Sequence, residues 1–232
     1  MRILSFGGGV NSTAIIALAL LGEMEMPDYI VFSDTGAEWP HTYQYLDYIE
    51  KEGIHITYLT GGNKGMTMIE WCQFKNYIPC RMNRWCTDYW KRAPLDKFAK
   101  AFPGSEQLIG IDAGEERRAK NKKKSLRYPL IEMGINRQEC KQVILRAGLG
   151  VPKKSGCFIC PYQRKGQWIE LKKKHPELWR IAVDLEKGTV SDKGIFTYKN
   201  GLTIEEFVAD LDRQEELPFG AVLDQKCECY FD

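Results

Sequence analysis

The chain has 232 residues, of which 44% are hydrophobic and 28% are charged, and its formal net charge is +2. This composition suits one globular domain with at most a small appendage, and it excludes a disordered tail, a collagen-like fibre and a coiled coil. The longest apolar run, residues 14–21, is far shorter than the roughly 20 residues of a membrane span. No secretory leader pattern is present, so we expect a cytoplasmic protein without a membrane segment.

The N-terminal part predicts strands that alternate with helices. The helix after the first strand would be capped by Asn11 or Ser12. Such alternation indicates an α/β fold with a doubly wound, mostly parallel sheet, whose ligands bind beyond the carboxyl ends of the strands. The predicted strands cover residues 2–6, 28–33 and 54–59, and the predicted helices cover residues 11–21 and 40–51.

Beyond residue 62 the pattern is less regular. We predict a nucleotide-binding α/β domain over residues 1–150, with residues 151–232 forming a cysteine-bearing C-terminal extension packed on it. Thr203 with Glu206 three positions later is typical of a capping box, which places one helix near the C-terminus. The remaining predictions are a strand over residues 107–111, a charged loop over 117–127, a cysteine loop over 153–166, and helices over 89–102, 136–147, 167–186 and 203–214.

The distribution of charge is uneven along the chain. Residues 117–127 hold seven basic side chains and no acid, among them Lys120 and the run Lys122, Lys123 and Lys124. A cluster of this kind is either a solvated loop or a surface for a polynucleotide backbone. More positive charge surrounds the predicted cysteine loop over residues 153–166, on Lys153, Lys154, Arg164, Lys165 and Lys172–Lys174.

The glycine-rich segment at residues 5–13 (SFGGGVNST) joins a predicted strand to a helix. Glycines at such a junction let backbone N–H groups turn toward an anion at the helix N-terminus, and phosphate is the natural ligand. The segment lacks the lysine of a Walker A loop, which argues against a nucleoside triphosphate held in the usual kinase manner. A tight turn without a ligand is the alternative.

A polar group also ends the second predicted strand. The side chains of Asp34 and Thr35, followed by Gly36, could reach adenine, ribose or a magnesium-bound water. The same three residues could instead form an Asx-turn.

Eight cysteines in a reducing compartment favour metal binding or thiol chemistry over disulfides. Cys157 and Cys160 form a Cys-x-x-Cys pair, and Cys80 and Cys86 are the candidates to complete a four-thiolate site. Such a set suits tetrahedral zinc or a [4Fe-4S] cluster, and spacing does not separate the two. Cys72 or Cys140 could replace Cys80, although both suit the core.

Five landmarks resemble the phosphoadenylyl-sulfate reductase-like branch of the PP-loop ATP pyrophosphatases. Residues 7–12 (GGGVNS) resemble its Ser-Gly-Gly-x-Asp-Ser loop, with Gly7 in place of Ser and Asn11 in place of Asp. Residues 32–43 (FSDTGAEWPHTY) resemble its Asp-Thr-Gly signature, with His41 where the branch has Glu. The other landmarks are residues 84–95 (RWCTDYWKRAPL), 128–131 (YPLI) and 156–160 (GCFIC).

The resemblance implies a sheet of the adenine nucleotide alpha hydrolase type that binds ATP with Mg²⁺. Pyrophosphate would lie on the glycine loop and adenine at the end of the second strand, with Ser12 and Asp34 in catalytic roles. It also favours a [4Fe-4S] cluster on Cys80, Cys86, Cys157 and Cys160, with zinc as the alternative. The implied nucleotide-binding residues are Ser5, Gly7, Gly8, Gly9, Asn11, Ser12, Thr13, Asp34, Thr35, Gly110 and Arg118.

Two further segments match the branch in part. Residues 110–118 (GIDAGEERR) resemble its Gly-x-Arg loop near the nucleotide phosphates, with Asp112 in place of Arg. The loss of that cation weakens the case for a sulfonucleotide. Near the C-terminus, Glu228-Cys229 resembles the segment that carries the nucleophile of sulfonucleotide reductases, which makes Cys229 a candidate nucleophile, although Cys227 and Cys229 could be incidental.

Three functions remain open on these residues. The leading one is an ATP pyrophosphatase that activates an acceptor for sulfur transfer, with nucleic acid as the acceptor, as in DNA phosphorothioation systems. This hypothesis implies a cysteine desulfurase as the sulfur donor. The alternatives are a sulfonucleotide (APS or PAPS) reductase and a non-catalytic subunit that binds nucleotide or nucleic acid.

Overall fold

The computed structural model describes residues 1–62, 65–81, 84–119, 125–191, 194–195, 197–198 and 201–215. Lys120, Lys122–Lys124, Cys227 and Cys229 lie outside these described residues. The roles predicted for the basic run and for the Cys229 thiol therefore stay predictions from the sequence.

Five parallel strands form the central sheet, in the order β3-β2-β1-β4-β5. Leu4 lies beside Ile30 of β2 on one side and beside Leu108 of β4 on the other. The predicted α/β class with a mostly parallel sheet is confirmed. The strands are β1 (Arg2–Ser5), β2 (Tyr29–Asp34), β3 (Thr57–Thr60), β4 (Glu106–Ile109) and β5 (Leu126–Arg127), and β6 (Val190–Ser191) and β7 (Gly194–Ile195) form a separate antiparallel pair.

Helices connect the strands and make up most of the C-terminal part. No described helix combines the length and the apolar character needed to cross a membrane. The helices are α1 (Val10–Leu20), α2 (Pro40–Lys51), α3 (Met68–Lys75), α4 (Trp85–Thr87), α5 (Ala93–Lys100), α6 (Pro129–Glu132), α7 (Arg137–Arg146), α8 (Lys165–Lys174), α9 (Pro176–Lys187) and α10 (Ile204–Glu215), with a π-helical turn at Asp88–Arg92 and a 3-10 helix at Ala113–Arg118.

The sheet is covered on both faces because its buried side chains alternate along the strands. Leu4 and Ile30 join the cluster formed with α1, α2 and α7. Ile3 and Val31, one position away on the same strands, pack with Ala99 of α5 on the opposite face. Apolar residues at successive positions of β1 and β2 therefore become buried, as in a sheet covered on both faces.

A third cluster joins the middle of the chain to its C-terminal helices. Trp85 and Trp90 pack in it with Phe158, Trp168 of α8 and Tyr198. Residues on both sides of position 150 thus share one apolar cluster. The domain boundary proposed from the sequence at that position stays a prediction.

The structure corrects three local predictions. Gly9, not Asn11 or Ser12, is the N-cap of α1, because the helix begins one residue earlier than predicted. The predicted helix over residues 167–186 is two helices that meet at His175, since Pro176 starts a new first turn. The third correction adds α3, a helix that the sequence pattern did not predict. Its apolar residues form no single stripe, although Thr67 and Glu70 make a capping box at its start.

The strand order places the reversal of the sheet between β1 and β4. The chain builds outward from β1 to β2 and β3, and then crosses back so that β4 pairs with the other side of β1. In open α/β sheets, the crevice at such a reversal is the usual ligand site. Gly110 follows β4 at this point, and a Cβ on it would lie 2.8 Å from the backbone nitrogen of Ser12 in α1.

We predict that Gly110→Ala lowers the free energy of unfolding by about 1–3 kcal/mol, because the added methyl group would press on backbone atoms that cannot rotate away. Urea unfolding measures the change. Gly166→Ala is the matched control, because a Cβ at Gly166 in α8 meets no heavy atom within 4 Å. The control should be as stable as the wild type or more so. An equally small effect of both variants would contradict the close approach.

Candidate functional site

The glycine loop turns directly from β1 into α1. Gly8 has a φ of +64°, a left-handed conformation that favours glycine. The Ser12 hydroxyl donates to the Gly9 carbonyl at 3.2 Å and accepts from the Gly7 N–H at 3.3 Å. No side chain caps the start of α1, so its first N–H groups are not occupied by a side-chain acceptor. The loop therefore has the backbone geometry that an anion site at a helix N-terminus requires.

One cavity of about 1740 Å³ opens at this loop and extends to the cysteines. Its volume exceeds the 300–1,000 Å³ typical of a site for one small molecule, so it has room for a nucleotide and a second ligand. Nine basic and three acidic residues line it among the described residues, whereas the whole chain carries a net charge of only +2. The basic residues are Arg84, Lys91, Arg92, Lys100, Arg117, Arg118, Arg137, Lys154 and Arg164, and the acidic ones are Asp96, Asp112 and Glu115.

Most of the site residues predicted from the sequence line this cavity. Gly8, Thr13 and Asp34 do not. The Thr13 hydroxyl instead donates to the Gly9 carbonyl at 2.9 Å, inside the first turn of α1. The predicted residues that do line the cavity are Ser5, Gly7, Gly9, Asn11, Ser12, Thr35, Gly110, Arg118, Cys80, Cys86, Cys157 and Cys160.

Asp34 closes a turn at the end of β2. Its Oδ1 accepts from the Gly36 N–H at 2.8 Å, which is the Asx-turn that the sequence left open, and from the Tyr43 hydroxyl at 2.8 Å. Burial and this bond to the Asp34 carboxylate raise the pKa of Tyr43 well above its usual range. The catalytic role of Asp34 stays a prediction, and the neighbouring Thr35 is the residue of this turn that lines the cavity.

An ion pair beside Cys157 joins the buried Glu38 carboxylate to Lys91, whose side chain is 40% exposed. Lys91 Nζ is 3.1 Å from Oε1 of Glu38, whose side chain is only 2% exposed. Burial lowers the pKa of Lys91, but Glu38 and the nearby cysteines outweigh that effect and raise it, which keeps the ammonium charged. The carboxylate also accepts from the Thr35 hydroxyl at 3.3 Å and from the Cys157 thiol at 3.4 Å.

The four predicted metal ligands line the same cavity but do not form a metal site. Among the described residues, no three His, Cys, Asp or Glu side chains are arranged to hold a metal ion. The Cys157 thiol is instead hydrogen-bonded to Glu38, and burial together with the Glu38 carboxylate raises its pKa well above the usual range. The side chains as arranged therefore do not fit a four-cysteine cluster, and we derive no chemical step through one.

The two spare cysteines lie in the core, as the sequence favoured. Burial raises the pKa of Cys140 to about 12, and burial with the neighbouring Cys86 does the same for Cys72. Both are almost fully buried in apolar clusters. Neither lines the cavity.

The sequence pattern does not reveal Glu38 or Arg137 as site residues, and it assigns no role to Lys91. Glu38 follows a strand end by four residues, and the sequence offers no sign that its carboxylate turns inward. Lys91 stands within a family landmark, which was a usable signal. Arg137 follows the helix cap Asn136 and lines the cavity from α7. Only the folded chain shows that Lys91 and Arg137 line one cavity and that Glu38 pairs with Lys91.

We predict that Lys91→Met lowers the free energy of unfolding by about 1–3 kcal/mol, because it leaves the buried Glu38 carboxylate without its counter-charge while solvent near the half-exposed Lys91 position offsets part of the cost. Glu38→Gln with Lys91→Met should recover most of that loss, since the double variant removes both charges. Urea unfolding of the two variants measures the difference. A double variant no more stable than Lys91→Met would contradict the coupling.

Comparison with known proteins agrees with this geometry. The sequence pattern of the phosphoadenosine phosphosulfate reductase domain matches residues 2–129, more than half of the chain. Two uncharacterized proteins of Methanocaldococcus jannaschii, MJ0066 and MJ0973, are 30% and 24% identical over 198 and 208 residues. The matches cover 76% and 79% of this chain but 39% and 47% of those proteins, so the chain spans less than half of their length.

A solved structure has the same fold. The phosphoadenylyl-sulfate reductase from Candida auris, in a phosphate complex, superposes with a TM-score of 0.51 at 15% identity, over 67% of this chain and 80% of that one. The strand order, the glycine loop and the match over residues 2–129 lead to one conclusion. The chain belongs to the phosphoadenosine phosphosulfate reductase domain family of the PP-loop superfamily.

Proposed function

We propose that the protein is a cytoplasmic PP-loop ATP pyrophosphatase, which splits ATP into AMP and pyrophosphate to activate an acceptor for sulfur transfer. The observation that carries the proposal is the cationic cavity that begins at the glycine loop, at the reversal of the sheet. Arg117 and Arg118 also line it, and their charges would attract the phosphates of a nucleotide. A positive, partly enclosed cavity attracts polyphosphates and strengthens each contact with them.

The chemistry needs an anion site that is ready before the reaction. In the first step an acceptor oxygen attacks the α-phosphorus of ATP, the bond to the β-phosphate oxygen breaks, and pyrophosphate leaves with the electron pair. N–H groups at the start of α1 and nearby guanidinium groups would stabilise that departing charge. The acceptor is left as an adenylate. The outer sulfur of a persulfide then displaces AMP and bonds to the acceptor. A second thiol attacks the inner sulfur, so that the outer sulfur stays on the acceptor with the electron pair and the two cysteine sulfurs are oxidised to a disulfide.

Two predicted cofactors receive less support from the geometry. Asp112 accepts hydrogen bonds from Asn11 and Gly114, and Glu115 pairs with Arg118, so these cavity carboxylates are already engaged. Mg²⁺ would therefore arrive with the nucleotide phosphates, whose charge it would help neutralise. The [4Fe-4S] cluster, or zinc, stays a prediction from the sequence, and iron and zinc analysis of anaerobically purified protein decides between them.

Nucleic acid is the acceptor that we propose. The cavity volume leaves room for a second ligand beside the nucleotide, and its excess of basic residues suits a phosphate backbone. The basic run at residues 120–124, outside the described residues, follows Arg117 and Arg118 in the sequence and would extend the positive surface. A cysteine desulfurase is the proposed source of the persulfide.

A sulfonucleotide reductase is the second candidate. The family match and the thiols that line the cavity favour it, because such an enzyme attacks sulfur with a cysteine. Asp112 argues against it, since a carboxylate stands where the resembling loop carries an arginine for the substrate. Sulfite release from APS or PAPS would identify this activity, whereas pyrophosphate release from ATP would identify the first.

We predict that Gly7→Val weakens ATP binding at least tenfold without unfolding the protein. Gly7 lines the cavity, its φ is not left-handed, and a Cβ there meets no heavy atom within 4 Å, so the side chain would fill space meant for phosphate. At Gly9, by contrast, a Cβ would lie 2.8 Å from the Ser155 hydroxyl and disturb packing as well. Calorimetric titration measures the affinity.

Gly166→Val is the control for this measurement. Gly166 also has open space around it, but it does not line the cavity. This variant should bind ATP as the wild type does. A folded Gly7→Val protein with wild-type affinity would remove the glycine loop from the nucleotide site.

We predict that the protein binds single- or double-stranded DNA with a steep dependence on salt. Replacing Lys122, Lys123 and Lys124 by Gln should reduce the slope of log affinity against log salt by about one unit for each lost phosphate contact. Fluorescence anisotropy at several salt concentrations measures this slope. A control triple, Lys51→Gln with Lys75→Gln and Lys141→Gln, removes exposed charges that do not line the cavity. No binding at low salt would exclude the polynucleotide acceptor.

A further inference from the structure

Two of the positions that depart from the resembling motifs, Asn11 and Asp112, face each other in the structure. Asn11 lies in the first turn of α1, and Asp112 lies just after β4. Asn11 Nδ2 donates to Asp112 Oδ2 at 2.9 Å, and the two side chains are buried. These two departures are therefore one physical contact between elements that are about 100 residues apart.

The amide of Asn11 is used at both ends. Its Nδ2 faces the carboxylate, and its Oδ1 accepts from Arg137 Nη1 at 3.1 Å. An Asp at position 11 would place two carboxylates in contact, which is strongly unfavourable when both are ionised and buried. The amide is thus the residue type that can connect a carboxylate on one side with a guanidinium on the other.

Asp112 cannot move away to relieve such a clash. Its Oδ1 accepts from the Gly114 N–H at 2.9 Å, which caps the 3-10 helix at Ala113–Arg118. This bond fixes the carboxylate, the carboxylate fixes the Asn11 amide, and the amide in turn fixes Arg137. The chain of contacts begins on the backbone and ends on a cation.

Arg137 is the member of this chain that can reach a ligand. It lies at the start of α7, its side chain is exposed and lines the cavity, and its one hydrogen bond within the described structure is to Asn11. A guanidinium has five N–H donors in a planar fork, so several remain for an anion. Its partner Asn11 belongs to the glycine loop segment itself, which places the fork beside the proposed phosphate site.

We propose that Arg137 binds a phosphate group of the nucleotide, and that Asn11 and Asp112 are positioning residues that hold its guanidinium in place. This inference rests on the proposed function, because it names the cation that acts at that same site. The fork matches two phosphate oxygens at once, which a lysine does not.

Three probes test the assignment by calorimetry: ATP, inorganic pyrophosphate and adenosine. Arg137→Ala should weaken the binding of ATP and of pyrophosphate at least tenfold and leave the binding of adenosine unchanged. Arg137→Lys should recover only part of the lost affinity. Arg146→Ala, at the other end of α7 and outside the cavity lining, is the control and should change none of the three. Wild-type affinity for ATP in Arg137→Ala, or equal weakening of adenosine, would overturn the assignment of Arg137 alone.

The positioning pair is tested by exchanging its two side chains. Asn11→Asp should lower the melting temperature and weaken pyrophosphate binding, and Asn11→Asp combined with Asp112→Asn should restore both, because the exchange rebuilds one carboxylate and one amide. A double variant no better than Asn11→Asp would overturn the positioning role. Thermal melting needs no nucleotide, so this arm is independent of the proposed function. Wild-type protein that binds neither ATP nor pyrophosphate would overturn the proposed function and the Arg137 assignment together.

Discussion

The contact between Gly110 and the first turn of α1 is the constraint on which the site depends. A Cβ on Gly110 would stand 2.8 Å from the Ser12 nitrogen, so the segment after β4 lies directly against the loop after β1. This approach occurs where the sheet reverses direction, between its two adjacent strands β1 and β4. It brings the glycine loop and Asp112 together, and it thereby defines one end of the cavity.

Electrostatics distinguishes this cavity from the rest of the molecule. The whole chain is nearly neutral, but nine basic and only three acidic side chains line the cavity among the described residues. Like charges gathered in one cavity repel one another, which destabilises the empty protein and favours an anionic ligand that neutralises them. The negative charges of Asp112 and Glu115 offset part of that repulsion. Asp112 is hydrogen-bonded to Asn11, and Glu115 forms an ion pair with Arg118.

The cysteine end of the cavity is organised differently. Glu38 is buried and bonded to Lys91, Thr35 and Cys157, so a single carboxylate connects the end of β2 with the Cys-x-x-Cys loop. The backbone supports the same connection, because Glu38 forms a β-bridge with Cys157. Because Lys91 lies on the segment that carries Cys86, three parts of the chain depend on this one ion pair.

The sequence by itself determined the α/β class, the glycine loop as an anion site and the family. These follow from local features: apolar alternation, glycines at a strand-to-helix junction, and short motifs in order. It left alternatives open where a side chain could be satisfied locally, as with Asp34, whose carboxylate closes an Asx-turn. The tertiary structure alone decided that Asn11, Asp112 and Arg137 meet and that Glu38 pairs with Lys91. The physical reason is that these contacts join separate elements, and burial of charge selects partners only after the sheet order has brought the elements together.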